Sequence, residues 1–183
     1  MPKTNRRTGI VRSATLADLR AIASINAHVF LGNRDDPKAA YSWTLCGYRA
    51  TPKERLFVCC VGGRIVGYTK WAIHGGFRRP TPVVELVELG IDPFCQGRGY
   101  GTLLTEDGLT TMATWVRENN RRIESHITFI VWCYADNQNA VAIYKRHFGK
   151  HCGTRKQHAD RREVCFMRRV PLVLPLRATS KAA

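Results

Sequence analysis

Residues 86–104 read LVELGIDPFCQGRGYGTLL, and few folds accommodate that succession of an apolar run, an Asp-Pro stop and three glycines at alternate positions. Valines, leucines and an isoleucine between Val83 and Ile91 favour an extended strand, and Asp92-Pro93 ends it by removing a backbone donor. Gly97, Gly99 and Gly101 allow the backbone from Gln96 onward to turn tightly and approach a ligand with no side chains in the way. A helix is expected to follow over 102–119. A strand, a glycine turn and a helix N-terminus aim unpaired N–H groups and the positive end of a dipole at one point, which suits a phosphate or pyrophosphate.

Spacing excludes two phosphate-binding motifs here. A dinucleotide fingerprint needs glycine at 102 or 104, where Thr102 and Leu104 stand, and a nucleoside-triphosphate loop needs a Gly-Lys-Ser/Thr triplet that the chain lacks. The hexapeptide Gln96-Gly97-Arg98-Gly99-Tyr100-Gly101 leaves two readings: a turn without a ligand, or a pyrophosphate loop of another kind.

With 183 residues, 44% of them hydrophobic, the chain is expected to form one globular domain over 10–170, with loosely ordered ends at 1–9 and 171–183. The formal charge of +15 and isoelectric point near 10.0 imply an acidic partner, an acidic substrate or a cationic surface. Arginine doublets at 6–7, 78–79, 121–122, 161–162 and 168–169 are dispersed. That pattern reads first as a solvated basic surface, with a nucleic-acid groove as the alternative. Seven cysteines without a C-x-x-C pair argue against a disulfide framework or zinc ribbon and for a reducing cytosol. His147, His151, Cys152 and His158 lie close in sequence, but Gly149 interrupts the helix that would align the first two, so no metal site is expected. There is no apolar stretch approaching ~18 residues and no signal-like N-terminus, so neither a membrane span nor export is expected.

The remaining elements follow from periodicity. A short strand at 10–12 precedes a helix opened by Thr15 as N-cap with Asp18 at N3 and carrying Leu16, Leu19, Ile22 and Ile25. A second helix is expected over 39–50, its Tyr41, Trp43 and Tyr48 packing on the core or rimming a substrate mouth. Residues 56–61 and 65–73 form a hairpin about Gly62-Gly63. A buried strand spans 127–134, a helix capped by Asp136 or Asn137 runs to about 148 with Ala140 and Tyr144 on one face, and a last strand spans 164–170. The order is β, α, α, β, β, β, α, β, α, β.

Two motifs in that order, the hexapeptide at 96–101 and Asn137-Gln138-Asn139-Ala140-Val141-Ala142-Ile143-Tyr144, resemble the Q/R-x-x-G-x-G/A loop and the N-x-x-A-x-x-x-Y helix of the GNAT superfamily of acetyl-CoA-dependent N-acetyltransferases. The opening Val11-Arg12-Ser13-Ala14-Thr15 with Asp18 is similar as well. One departure is Phe148 before Gly149, where the family usually has Gly-Phe. The resemblance implies a mixed α/β fold: a mostly antiparallel twisted sheet, splayed between its fourth and fifth strands, with helices on both faces. It implies that acetyl-CoA lies in the splay, along Leu89, Gly90 and Ile91, with its pyrophosphate on Gln96, Gly97, Arg98, Gly99, Tyr100, Gly101 and Thr102 and its pantetheine arm near Asn137 and Ala140. A primary amine would attack the thioester directly, without metal.

An amine of lysine type has a reference pKa of ~10.4, so a base is useful, and the resemblance points to the strand carboxylates Glu85 and Glu88. Strict alternation puts Glu85 with Val87, Leu89 and Ile91, and Glu88 with Leu86 and Gly90, so that one faces the acceptor and the other does not; a bulge would change this. Glu85 is favoured, and Tyr144 is the matching proton donor to the leaving thiolate. The acceptor stays open among peptide N-termini, lysines, small amines and aminoacyl-tRNA, a polycation being disfavoured by the chain's charge. So do a nucleic-acid-associated acyltransferase, a cofactor-binding module without turnover, and the choice between monomer and homodimer.

Overall fold

The computed structural model describes residues 9–30, 36–51, 53–75, 79–156 and 161–171. Seven strands form one sheet: β1 (Ile10–Ser13), β2 (Glu54–Val61), β3 (Arg64–His74), β4 (Val83–Ile91), β5 (His126–Tyr134), β6 (Lys150–Lys156) and β7 (Arg162–Pro171). Their spatial order is β1-β2-β3-β4-β5-β7-β6, antiparallel throughout except for the parallel β4–β5 pair. Four helices, α1 (Leu19–Val29), α2 (Pro37–Arg49), α3 (Tyr100–Asn119) and α4 (Gln138–His147), cover it from both sides. Of the expected tails at 1–9 and 171–183 all but residues 9 and 171, and residues 76–78 of the connection before β4, lie outside the described residues.

Alternation along β2 sorts the core. Leu56 and Val58 pack with Leu19, Ile22, Ile25 and Tyr68 under α1 and α2, whereas Phe57 and Trp71 join Leu86, Met112, Val116 and Phe129 under α3 and α4. Thr15 and Asp18 cap the first helical turn as expected: the Thr15 N–H donates to Asp18 at 2.7 Å, and Arg12 grips the same carboxylate at 2.6 and 2.9 Å. Those donors hold the Asp18 carboxyl well below the usual range, the Arg12 hydrogen bond being the largest cause. α2 begins two residues earlier than expected, because Pro37 suits the first helical position and Asp36 accepts from the Ala39 N–H at 2.9 Å. Tyr41 and Tyr48 pack against the α1–α2 core, and Trp43 stays half-exposed. Gly62 and Gly63 make the expected hairpin turn with φ of 56° and 79°. Gly149, at φ 83°, ends α4 after Phe148, so the reversed Phe-Gly order still supplies the left-handed residue a helix C-terminus uses.

The six-strand order expected from the sequence is incomplete. β6 reads KHCGTRK, without apolar alternation, because it is an edge strand exposed along nearly its whole length and held by β7 on one side.

Gly108 sits mid-helix, where glycine ordinarily weakens a helix by about 1 kcal/mol relative to alanine. Its use is steric: a Cβ there would lie 2.8–3.0 Å from three ring atoms of Trp71, which is fully buried. Gly108→Ala is therefore expected to lower stability by about 1 kcal/mol rather than raise it, since overpacking of a filled core outweighs the propensity gain. Urea denaturation checks this, and Trp71→Phe in the same background should recover part of the loss through coupling of neighbouring sites.

Candidate active site

β4 and β5 pair only from Val83–Thr128 to Leu86–Val131. The cause lies on the other edge of β4. Leu86 and Glu88 oppose consecutive residues of β3, Trp71 and Lys70, so Val87 is an extra residue and forms a bulge. Past it, β4 turns away from β5 and a cavity of about 930 Å³ opens between them. Val87, Leu89 and Ile91 form one wall, and Trp132, Cys133 and Tyr134 the other. The β5-facing backbone groups of the first wall have no strand partner beyond Leu86.

The glycine turn forms the mouth. Asp92 stops β4, accepts from the Phe94 N–H at 2.9 Å and pairs with Arg64, and the Gln96 side chain donates to the Ile91 carbonyl at 3.2 Å. Gly97 and Gly99 take φ of 73° and 84°, and a Cβ at either would meet nothing within 4 Å. What they keep clear is the space in front of α3, which starts at Tyr100 with Gly99 as a cap that offers no side-chain acceptor. Its first N–H groups thus point unsatisfied into the cavity. Gly101 serves differently: a Cβ there would come within 3.3 Å of Ile143, so its absence lets α3 approach α4.

Ten of the twelve residues expected at a cofactor line this cavity: Leu89, Ile91, Gln96, Gly97, Gly99, Tyr100, Gly101, Thr102, Asn137 and Ala140. Tyr100 does so from its backbone side, its ring being buried with Cys59 and Leu104. Gly90 does not; it faces α1, where a Cβ would strike Tyr68 at 2.6 Å and Ile25 at 3.2 Å. Arg98 is exposed and outside the lining. Asn137 caps α4 through Oδ1, which accepts from the Ala140 N–H at 3.1 Å, leaving its NH2 as a donor. Tyr144 is buried, with its ring edge-on to Phe148 at 5.9 Å, and burial raises its hydroxyl pKa, so the proton stays on.

The bulge corrects the expected alternation. Glu85 and Glu88 pair with Ala72 and Lys70, which share a face of β3, so both carboxylates and Gly90 lie on the α1–α2 side, and Leu86, Leu89 and Ile91 on the other. Neither carboxylate lines the cavity.

The two differ in company. Glu88 accepts from Tyr68 Oη at 2.7 Å, Asn26 Nδ2 at 3.1 Å and Trp43 Nε1 at 2.8 Å. The buried ammonium of Lys70 sits 3.5 Å from Glu88, 3.2 Å from Glu54 and 4.4 Å from the Trp43 ring centre. Three hydrogen bonds and an ammonium shared with Glu54 thus hold Glu88, so this is a tie between α1, α2 and β3. Among the described residues, Glu85 finds its hydrogen-bond partner in the His74 ring.

Sequence reasoning missed the far wall. Trp132 and Tyr134 carry stacked guanidiniums, Arg155 at 4.2 Å and Arg161 at 3.7 Å, which are paired to Glu163 and Asp136. Arg161 and Glu163 line the cavity, as do Val29 and Phe30 at the end of α1. The signal was present in the aromatic alternation of 132–134, but a buried strand and a cavity wall give the same pattern. Cys133 lies beside Tyr144, its thiol pushed up to about 11 by burial and by Glu163.

Residues 19–149 match the acetyltransferase (GNAT) family model. The N-alpha-acetyltransferase RimI of Mycobacterium tuberculosis is 28% identical over 148 residues, covering 81% of this chain and 82% of that protein. The structure of yncA from Salmonella typhimurium with its cofactor acetyl-CoA superposes with a TM-score of 0.67 at 17% identity, over 93% of this chain and 99% of that one. The ribosomal-protein-alanine N-acetyltransferase of Brucella melitensis gives 0.63 at 22% identity, over 88% and 99%. A sheet splayed at its parallel pair, a bare helix N-terminus at the mouth and a family match across both place the chain in the acetyltransferase (GNAT) family, as an N-acetyltransferase.

Proposed function

We propose that the chain transfers an acetyl group from acetyl-CoA to a primary amine, and that the α-amine of a polypeptide is the acceptor class. The observation that carries the transfer is the cavity in the β4–β5 splay, with unsatisfied helix donors at one end and a buried tyrosine hydroxyl on its wall. The acceptor class rests on the likeness to RimI across most of both chains.

Acetyl-CoA, when bound, supplies an activated thioester carbonyl. The first N–H groups of α3 would donate to its pyrophosphate, and the partnerless edges of β4 and β5, with the Asn137 NH2, to its pantetheine arm. Glu85 is the proton acceptor for the incoming ammonium, directly or through water, because Glu88 is engaged by three hydrogen bonds and the Lys70 ammonium whereas Glu85 meets only the half-exposed His74 ring among the described residues. Tyr144 donates to the departing sulfur. A tyrosine held protonated by burial does not readily surrender its proton to a thiolate of reference pKa ~8.5, so it acts by hydrogen-bonding charge as that charge develops.

Saturating acetyl-CoA is expected to raise the melting temperature, and Gly99→Glu to abolish that rise by setting a carboxylate where the phosphates would lie. Gly62→Glu is the control, since it carries the same left-handed strain at a hairpin remote from the cavity and should keep the ligand response.

The proton assignments separate by pH. Glu85→Gln should lower kcat/KM at least tenfold at neutral pH, with the deficit shrinking as pH rises and free amine becomes abundant. Tyr144→Phe should lower kcat, leave acetyl-CoA affinity intact and gain nothing from high pH. Glu88→Gln should lower stability, by weakening the pairing of Lys70, and show no defect that high pH relieves. pH–rate profiles at saturating acetyl-CoA read all three; a deficit relieved by high pH in Glu88→Gln and absent from Glu85→Gln would reverse the assignment.

A further inference from the structure

Transfer from acetyl-CoA to an ammonium forms one C–N bond, breaks one C–S bond and removes two protons from nitrogen. The departing thiolate takes up one, so each turnover leaves one proton that must reach solvent. The proposed acceptor of that proton, Glu85, is poorly placed to release it alone, its side chain being 18% exposed. Its strand neighbours Ala72 and Ile130 have no titratable groups. The Cys165 thiol of β7 is close enough to feel the Glu85 charge, but burial and the adjacent Cys152 thiol keep it protonated.

Resting on the assignment of Glu85 as base, we propose that His74 is the outlet: its ring takes the proton from the Glu85 carboxyl and delivers it to water or buffer. Geometry carries this. The Nε2 of His74 meets Oε2 of Glu85 directly, and the His74 side chain is 50% exposed, so one ring spans a shielded carboxylate and bulk solvent. Both sit on one face of the sheet, on adjacent antiparallel strands. Two cations near the pair are placed elsewhere, the Arg79 guanidinium against Gly75, next in the chain, and Lys70 between Glu54 and Glu88. In each cycle Glu85 gains a proton from the acceptor and loses it to the free Nε2 of the neutral imidazole, whose Nδ1 proton leaves to water; exchange of the remaining proton between the two nitrogens through solvent restores the starting tautomer. No bond to carbon is made at either residue, so His74 is a positioning and relay residue.

The test is steady-state turnover of the full chain with acetyl-CoA and a peptide acceptor, at low and rising imidazole. His74→Ala should lower kcat at least tenfold in dilute buffer, keep the wild-type melting temperature and acetyl-CoA affinity, and recover kcat progressively as imidazole is added. Wild type and Glu85→Gln should show no such recovery. His74→Gln, which retains a polar side chain, should behave as His74→Ala does and guards against a packing defect. A His74→Ala enzyme within twofold of wild type, or one whose deficit ignores imidazole, overturns the inference and leaves Glu85 standing if Glu85→Gln is impaired. If Glu85→Gln is as active as wild type, the base assignment itself falls, and the relay with it.

Discussion

The β-bulge at Val87 is the constraint on which the site depends. One extra residue against β3 bends β4 away from β5 after Leu86, and the sheet, continuous below that point, divides above it. The division does two things at once. It leaves backbone donors and acceptors without strand partners along the β5 side of β4, and it creates the space into which Val87, Leu89 and Ile91 face Trp132, Cys133 and Tyr134. A closed sheet would satisfy those groups with one another. Here a ligand with amides of its own is the natural partner, and the bare N-terminus of α3 at the mouth extends the same logic to phosphate.

The bulge also sets the electrostatics. By bringing Glu85 and Glu88 to one face, it places two carboxylates near each other on a strand that would otherwise have separated them. The protein resolves the pair by unequal treatment. Glu88 is committed to holding α1 and α2 to the sheet, with Lys70 neutralising it in a buried network; removing one member of such a network leaves a buried charge or donor unpaired, which is the costly case. Glu85 meets the half-exposed ring of His74. Identical side chains three residues apart thus differ in what surrounds them, and the proposed division of duties rests on that difference.

Much of this was legible in the sequence. The Asp-Pro stop and the glycines at 97, 99 and 101 announced a strand, a turn and a helix, while a turn without a ligand stayed open on those residues alone, apart from the resemblance; the structure bears out the three elements, with Gly97 and Gly99 at positive φ. Asn137 and Tyr144 were singled out by the resemblance of residues 137–144 to the GNAT helix motif, and both line the cavity. Three features were not legible, each for a physical reason. Strand β6 has no apolar face to reveal it, since it is buried on neither side. The bulge has no composition of its own: Val87 fits a regular strand as well as a bulged one, and only the pairing with β3 distinguishes them. The use of Gly108 is hidden in the sequence because the ring it accommodates, Trp71, lies 37 positions away in the chain and is brought there by the fold.

The claim that the split sheet is the binding site is tested most directly by residue-resolved amide hydrogen exchange with and without acetyl-CoA. Exchange should slow at β4 amides facing β5 within 87–91, at 99–102 in the first turn of α3, and in 132–134, with 83–86 unchanged because those amides are already paired within the sheet. Slowing confined to other surfaces, or its absence at both the split strands and the α3 turn while acetyl-CoA is bound, would contradict that claim.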